Sequence, residues 1–71
     1  MKPVFTDMKN HSADDVVNVA IYKAENGNSF IVDLLDCNGS FIGFEEYENI
    51  EKSELVEELN SRYALKLCLT N

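Results

Sequence analysis

The sequence predicts a single α+β domain in which a three-stranded antiparallel meander packs against one amphipathic helix, with a C-terminal strand after the helix (β-β-β-α-β). Asn-Gly pairs at 26–27 and 38–39 separate three runs rich in β-branched and aromatic residues, a pattern typical of hairpin turns between strands. After residue 47 the apolar period changes from two to about 3.6 residues, as in a helix. With 71 residues, the chain has room for one domain with a thin core.

Residues 1–15 are predicted to form a polar N-terminal arm, and residues 16–71 the domain itself. The arm shows no sustained apolar period and carries Pro3 and His11 among scattered charges. Its apolar residues Val4, Phe5 and Met8 leave a short first strand around Val4 as an alternative.

Three strands are expected within 16–22, 29–37 and 40–47. If both turns are two-residue loops, Val19 faces Leu34, and Leu34 faces Gly43. Alternation then places one almost wholly apolar set on the core face, with Lys23, Asp36 and Glu45 at its margins. That set is Val17, Val19, Ile21, Phe30, Val32, Leu34, Phe41 and Tyr47.

The helix is predicted over residues 51–63 and assigned to the apolar face of the meander. Spaced about 100° apart, its apolar residues fall within one stripe, which comprises Leu55, Val56, Leu59 and Tyr63. Leucines then alternate over residues 65–69 and indicate a last strand at a sheet edge.

Charge limits the classes of partner. The chain has 13 acidic and six basic residues, a net charge of −7, and seven of the acids lie between residues 45 and 58. Direct binding to nucleic acid or anionic lipid is not expected, because both require a basic face. The absence of a long apolar run or a secretory leader predicts a cytoplasmic chain with Cys37 and Cys68 reduced.

Few residues suit catalysis. His11 is the only histidine and lies in the arm, where a Cys/His or Ser/His pair would need it held rigidly. The segment from Asp36 to Glu45 partly matches a calcium-binding EF-hand loop, but the first ligand position falls on Leu34 and a strand precedes it where the motif requires a helix. A hairpin is the better interpretation. We therefore expect no enzymatic activity, no resident metal and no cofactor.

The acidic segment has two interpretations. In the first, its glutamates form one negative surface that binds a basic protein and imitates a phosphate array; in the second, they are only the solvated side of the helix. The glutamates are Glu45, Glu46, Glu48, Glu51, Glu54, Glu57 and Glu58. In size, charge and fold style the chain resembles the small acidic inhibitors that phages and mobile elements carry, DNA mimics among them. That resemblance implies inhibition of a nucleic-acid-binding protein.

The second face of the meander is unusually apolar and suggests a contact surface. Its apolar residues are Tyr22, Ile31, Leu35, Ile42 and Phe44. A second copy of the chain or a larger assembly could cover it, the alternative being that the N-terminal arm folds back over it. The leading expectation is a non-catalytic, homodimeric module whose acidic helix face binds a basic protein and inhibits or modulates it. The alternative is a structural or regulatory subunit, or a homodimer, that docks through the apolar second face.

Overall fold

The computed structural model describes residues 3–8, 10–25, 27–63 and 65 of the chain. They form a four-stranded antiparallel sheet and one α-helix, which confirms the α+β class. The elements in chain order are β1 (Phe5–Asp7), a short 3-10 helix (Ala13–Asp15), β2 (Asn18–Lys23), β3 (Phe30–Leu35), β4 (Phe41–Tyr47) and α1 (Lys52–Tyr63). In space the strands follow the order β1-β4-β3-β2.

The first hairpin has the predicted register. Val19 faces Leu34 and Ile21 faces Val32, which is the pairing predicted for a loop centred on the Asn-Gly pair at 26–27. The turn itself is wider than expected, because the amide of Ala24 donates to the carbonyl of Ser29 (2.9 Å) and the amide of Gly27 donates back to Ala24 (3.3 Å). Gly27 has a φ of 99°, a conformation that glycine adopts at little cost.

The second hairpin departs from the predicted register at its turn. Asp36 and Ser40 close a three-residue loop in which the amide of Gly39 donates to the carbonyl of Asp36 (3.0 Å). The Asp36 carboxylate also accepts the amides of Asn38 and Ser40, each at 2.9 Å, and so fixes the turn. This loop pairs Leu35 with Phe41, and a bulge then restores the predicted pairing of Leu34 with Gly43.

The bulge exchanges two residues between the sheet faces. Phe41, expected in the core, is 60% exposed, whereas Ile42, expected on the second face, is 8% exposed. A similar correction applies just before β2, where Val17 is 55% exposed and Val16 enters the core at 4%. Alternation fails at 16–17 because β2 begins only at Asn18 and these residues precede the sheet.

The N-terminal arm is not wholly separate from the domain. Phe5–Asp7 pairs antiparallel with β4, so that this part of the arm extends the sheet at its edge and does not fold over the second face. After Asp7 the chain crosses β4 at Gly43, where an added Cβ would overlap the carbonyl oxygen of Asp7 and lie 2.9 Å from Cα of Met8. Glycine at position 43 therefore permits this crossing.

Helix α1 packs on the predicted face. Its buried residues are Leu55, Val56, Leu59 and Tyr63, the stripe that periodicity indicated. Leu55, Leu59 and Tyr63 share one core with Val32 and Leu34 of the sheet. Burying each leucine stabilises the fold by roughly 1.5–3 kcal/mol, so that the sheet and the helix depend on each other.

The predicted strand at 65–69 lies outside the described residues, except for Leu65, which packs at the margin of the core. The observed order within the described residues thus differs from β-β-β-α-β by an added N-terminal strand. None of the helices that the structure describes has the length and hydrophobicity needed to cross a membrane.

Candidate functional site

The seven glutamates of the acidic segment do not share one surface. Glu45 is completely buried, whereas Glu46, the next residue, lies on the opposite face of the sheet. Glu48 is exposed in the connection to the helix, and the other four belong to the helical region, with Glu51, Glu54 and Glu57 exposed. The prediction of one continuous negative surface from 45 to 58 is therefore wrong for Glu45, and Glu46 is separated from the helix by the sheet.

The Glu45 carboxylate lies inside the core and is clamped by three donors. The hydroxyl of Tyr47 donates to Oε1 at 2.8 Å, and Nη2 of Arg62 donates to Oε2 at 2.8 Å. The hydroxyl of Tyr63 donates to Oε2 as well. Two of these donors come from the C-terminal end of α1, so the carboxylate ties the helix to β4. Removing a charge from water is costly unless the charge is paired and hydrogen-bonded. The ion pair with Arg62 and the hydrogen bonds from the two tyrosines offset that cost for Glu45.

The surroundings favour the protonated forms of the three donors. Burial, together with the hydrogen bond to Glu45, raises the pKa of Tyr63 to about 12 and raises the pKa of Tyr47 further. Burial by itself would lower the pKa of Arg62, but the Tyr63 hydroxyl and the Glu45 charge outweigh it and raise that pKa. Both phenols and the guanidinium therefore stay protonated at neutral pH, and the arrangement acts as a structural clamp.

Sequence reasoning placed Glu45 only at the margin of the core face and missed the clamp. One signal could have revealed it. In the predicted register Glu45 faces Val32 within an apolar row, and the helix that covers this row ends in Arg62 and Tyr63. An acid on an apolar row beneath a basic and a phenolic residue is a candidate for a buried pair.

The other side of the sheet, called here the outer face, has no described element packed over it. Its apolar side chains are set in rows across all four strands by the observed register, and they are Phe5, Tyr22, Ile31, Leu35, Phe41 and Phe44. Phe5, Tyr22 and Phe41 are 47%, 55% and 60% exposed. The predicted set on this face thus loses Ile42 and gains Phe5 and Phe41.

Three phenylalanine rings form a row along one side of the outer face. The ring of Phe44 lies 5.4 Å from that of Phe5 and 6.5 Å from that of Phe41, between centroids. These separations are within the range of favourable aromatic pairs. Because β1 supplies Phe5, the N-terminal strand enlarges the apolar surface and does not cover it as the alternative prediction required.

Carboxylates lie among these apolar residues. Asp33 faces Phe44 across the strands, Asp7 faces Phe44 from the other side, and Glu46 faces both Phe5 and Ile31. All three acids are partly exposed. No lysine or arginine occupies the outer face within the described strands, so the face is apolar and negatively charged.

His11 and Cys37 lie near each other at one end of the sheet. Both line a cavity of about 290 Å³ together with Asp14, Asp15 and Asp36. Nδ1 of His11 is 3.6 Å from Oδ2 of Asp15, and Cys37 is an exposed free thiol. Within the residues that the structure describes, no group of three or more histidine, cysteine or acidic side chains is arranged to hold a metal ion.

The Asp36 to Glu45 segment forms a hairpin, as the sequence favoured over an EF-hand. Asp36 caps its own turn, and Glu45 points into the core toward Arg62, so these two carboxylates do not converge on a common site.

Comparison of the chain with family models, with curated proteins and with solved structures finds no match in any of the three.

Proposed function

We propose that the chain is a non-catalytic protein-binding module that engages a basic partner through the outer face of its sheet. The observation that carries the proposal is the outer face itself, over which none of the described elements packs and where exposed aromatic side chains lie among carboxylates. Apolar patches of this kind on small proteins commonly mark interaction sites. Inhibition of a basic nucleic-acid-binding protein is the specific form of this function that the size and charge of the chain suggest.

The acids on the outer face supply the argument for a basic partner. Asp7, Asp33 and Glu46 would be brought close to the partner's surface together with the aromatic rings. Complementary charge speeds association and excludes partners of the wrong sign, while the apolar contacts supply affinity. A partner with lysine or arginine residues around an apolar centre matches this pattern.

The same acids argue against a second copy of the chain as the occupant. A two-fold contact would bring two sets of these three carboxylates to one interface without a described cation to neutralise them. Like charges placed together at an interface cost several kcal/mol in order of magnitude. The exposed helix glutamates lie on the other side of the molecule and serve solubility in this proposal.

Two double variants test the proposal by separating the two surfaces. Tyr22→Ser with Ile31→Ser removes apolar area from the outer face at exposed positions. Glu54→Lys with Glu57→Lys reverses charge on the exposed side of α1. Each tagged protein is used to capture partners from native lysate at low and high salt, and its mass in solution is measured, the monomer being 8.0 kDa.

We expect the outer-face variant to lose capture of a basic protein about tenfold or more, which is the effect of removing roughly 1.4 kcal/mol or more of contact energy. The helix variant should capture within about twofold of wild type, because its charges lie away from the contact. Loss of capture in the helix variant alone, or a stable dimer of the wild-type chain without another partner, would overturn the proposal.

A further inference from the structure

A cavity of about 310 Å³ opens at the sheet edge where β1 ends. β1 pairs with β4 only at Phe44–Glu46, so the first residues of β4 have no described strand beside them on that side. The cavity is lined by Asp7, His11, Phe41, Ile42, Gly43 and Phe44. Its volume is at the lower end for ligand pockets, which suits one side chain better than a larger molecule.

The aromatic walls of the cavity suit a flat cation. The rings of Phe41 and Phe44 have centroids 6.5 Å apart and are inclined by only 24°. A guanidinium group is planar, weakly hydrated and stacks on aromatic faces, where it gains cation–π attraction.

An acid stands beside these rings. Asp7 is the register partner of Phe44, and side chains so paired lie close together on the same face of a sheet. The other ionisable residue in the lining, His11, already faces the Asp15 carboxylate at 3.6 Å. Asp7 is therefore the group in the lining that can offer a carboxylate to an incoming cation.

We infer that this cavity is the anchor pocket of the partner-binding surface and accepts an arginine side chain of the partner. The guanidinium stacks against Phe41 and Phe44 and pairs with Asp7. This inference rests on the proposed function and names the chemistry by which the outer face recognises a basic protein. Buried arginines and aromatic side chains commonly dominate the affinity of such contacts.

The test titrates the full isotope-labelled chain with N-acetyl-arginine methylamide and follows backbone amide shifts. N-acetyl-norleucine methylamide, with an apolar side chain and no charge, is the matched probe. We expect the arginine probe to shift the amides of Asp7, Phe41 and Gly43 with an affinity of about 1–10 mM, as befits a single side chain. The norleucine probe should bind at least about fivefold more weakly, since it lacks the cation.

Two variants assign the effect to the pocket. Asp7→Asn keeps the size of the side chain but removes its negative charge. It should lower the affinity for the arginine probe about threefold to tenfold, because the guanidinium no longer pairs with a carboxylate. Glu57→Gln removes the same charge from the exposed side of α1 and should change the affinity less than twofold. Equal binding of both probes, an unchanged affinity in Asp7→Asn, or shifts centred on the helix would overturn the inference.

The two proposals fail separately. If the arginine probe does not bind while the Tyr22 and Ile31 variant still loses its partner, the anchor pocket is rejected and the outer face stands. If the probe binds as expected but that variant keeps its partner, the outer face is rejected as the main contact.

Discussion

Replacement of Glu45 by glutamine tests whether the buried carboxylate clamps the helix to the sheet. The variant keeps the size of the side chain but removes its charge and one acceptor oxygen. Three donors, from Tyr47, Tyr63 and Arg62, then compete for one carbonyl oxygen, and the new amide adds donors of its own. The hydroxyls can rotate to accept from the amide, whereas the guanidinium cannot accept.

The structure sets the size of the expected loss. Breaking a wholly buried ion pair by removing one partner costs about 3–5 kcal/mol. The Arg62 side chain is 31% exposed, so its guanidinium can be solvated by water once the ion pair is lost. This reduces the contribution of Arg62 to the loss of stability. We therefore expect Glu45→Gln to lower the free energy of unfolding by about 2–3 kcal/mol. At roughly 0.05–0.15 kcal/mol per residue, the free energy of unfolding of a 71-residue chain is about 4–11 kcal/mol in total. The expected loss is therefore a large fraction of the stability of the fold.

Urea unfolding followed by far-ultraviolet circular dichroism measures the change. The matched control is Glu46→Gln, which makes the same substitution one residue later on the outer face and should stay within about 0.5 kcal/mol of wild type. A double-mutant cycle of Glu45→Gln with Tyr63→Phe should give a coupling of about 1 kcal/mol, because both changes remove the same hydrogen bond. A free energy of unfolding for Glu45→Gln within about 0.5 kcal/mol of wild type, or an equal loss in Glu46→Gln, would contradict the role of Glu45 as a clamp.

Two further predictions follow from the clamp and from the strand crossing. The pKa of Tyr63 is raised from 10.0 to about 12. The neutral hydroxyl thus contributes fully below about pH 10, and its contribution falls as the pH rises toward 12, by up to about 1.4 kcal/mol per pH unit. Urea midpoints measured across this range should fall less steeply in Tyr63→Phe than in the wild type; an unchanged slope in Tyr63→Phe would contradict this. Gly43→Ala places a methyl group against the backbone of Asp7 and should cost about 1–3 kcal/mol. Amide exchange should show β1 opening first while β2 and β3 stay protected, and uniform loss of protection would argue against a local effect.

The parts of the fold that the sequence predicted correctly depend on strong local patterns. The first hairpin register, the burial of Val32 and Leu34, and the apolar stripe of α1 all follow from periodicity over six or more residues. Competing arrangements of these segments would expose several large side chains at once, which makes the pattern decisive.

The errors arise where one residue determines the geometry. The Asn-Gly pair at 38–39 suggested a two-residue loop, but the Asp36 carboxylate accepts two amides and stabilises a three-residue loop instead. The resulting bulge moved Phe41 outward and Ile42 inward, and so changed the composition of the outer face. An aspartate three residues before a glycine is the signal for this longer loop.

The N-terminal strand was underestimated for a different reason. Three residues are too few to show the two-residue alternation that identifies a strand. β1 is specified instead by its pairing with β4, about 40 residues later in the chain. The surface predictions were also limited, because alternation gives a residue's face but not whether an acid on the core side finds a partner.

The pairing of β1 with β4 has a consequence for the order of assembly. β2, β3 and β4 are joined by short turns and can pair soon after they are made, whereas β1 must wait for its partner, and Phe5 pairs with Glu46. Closing so long a loop costs more entropy than closing a hairpin, so we expect this contact to form late in folding. Among the described strands, β1 is then expected to join the sheet after β2, β3 and β4 have paired, and until it does, β4 presents a free edge to any extended segment nearby.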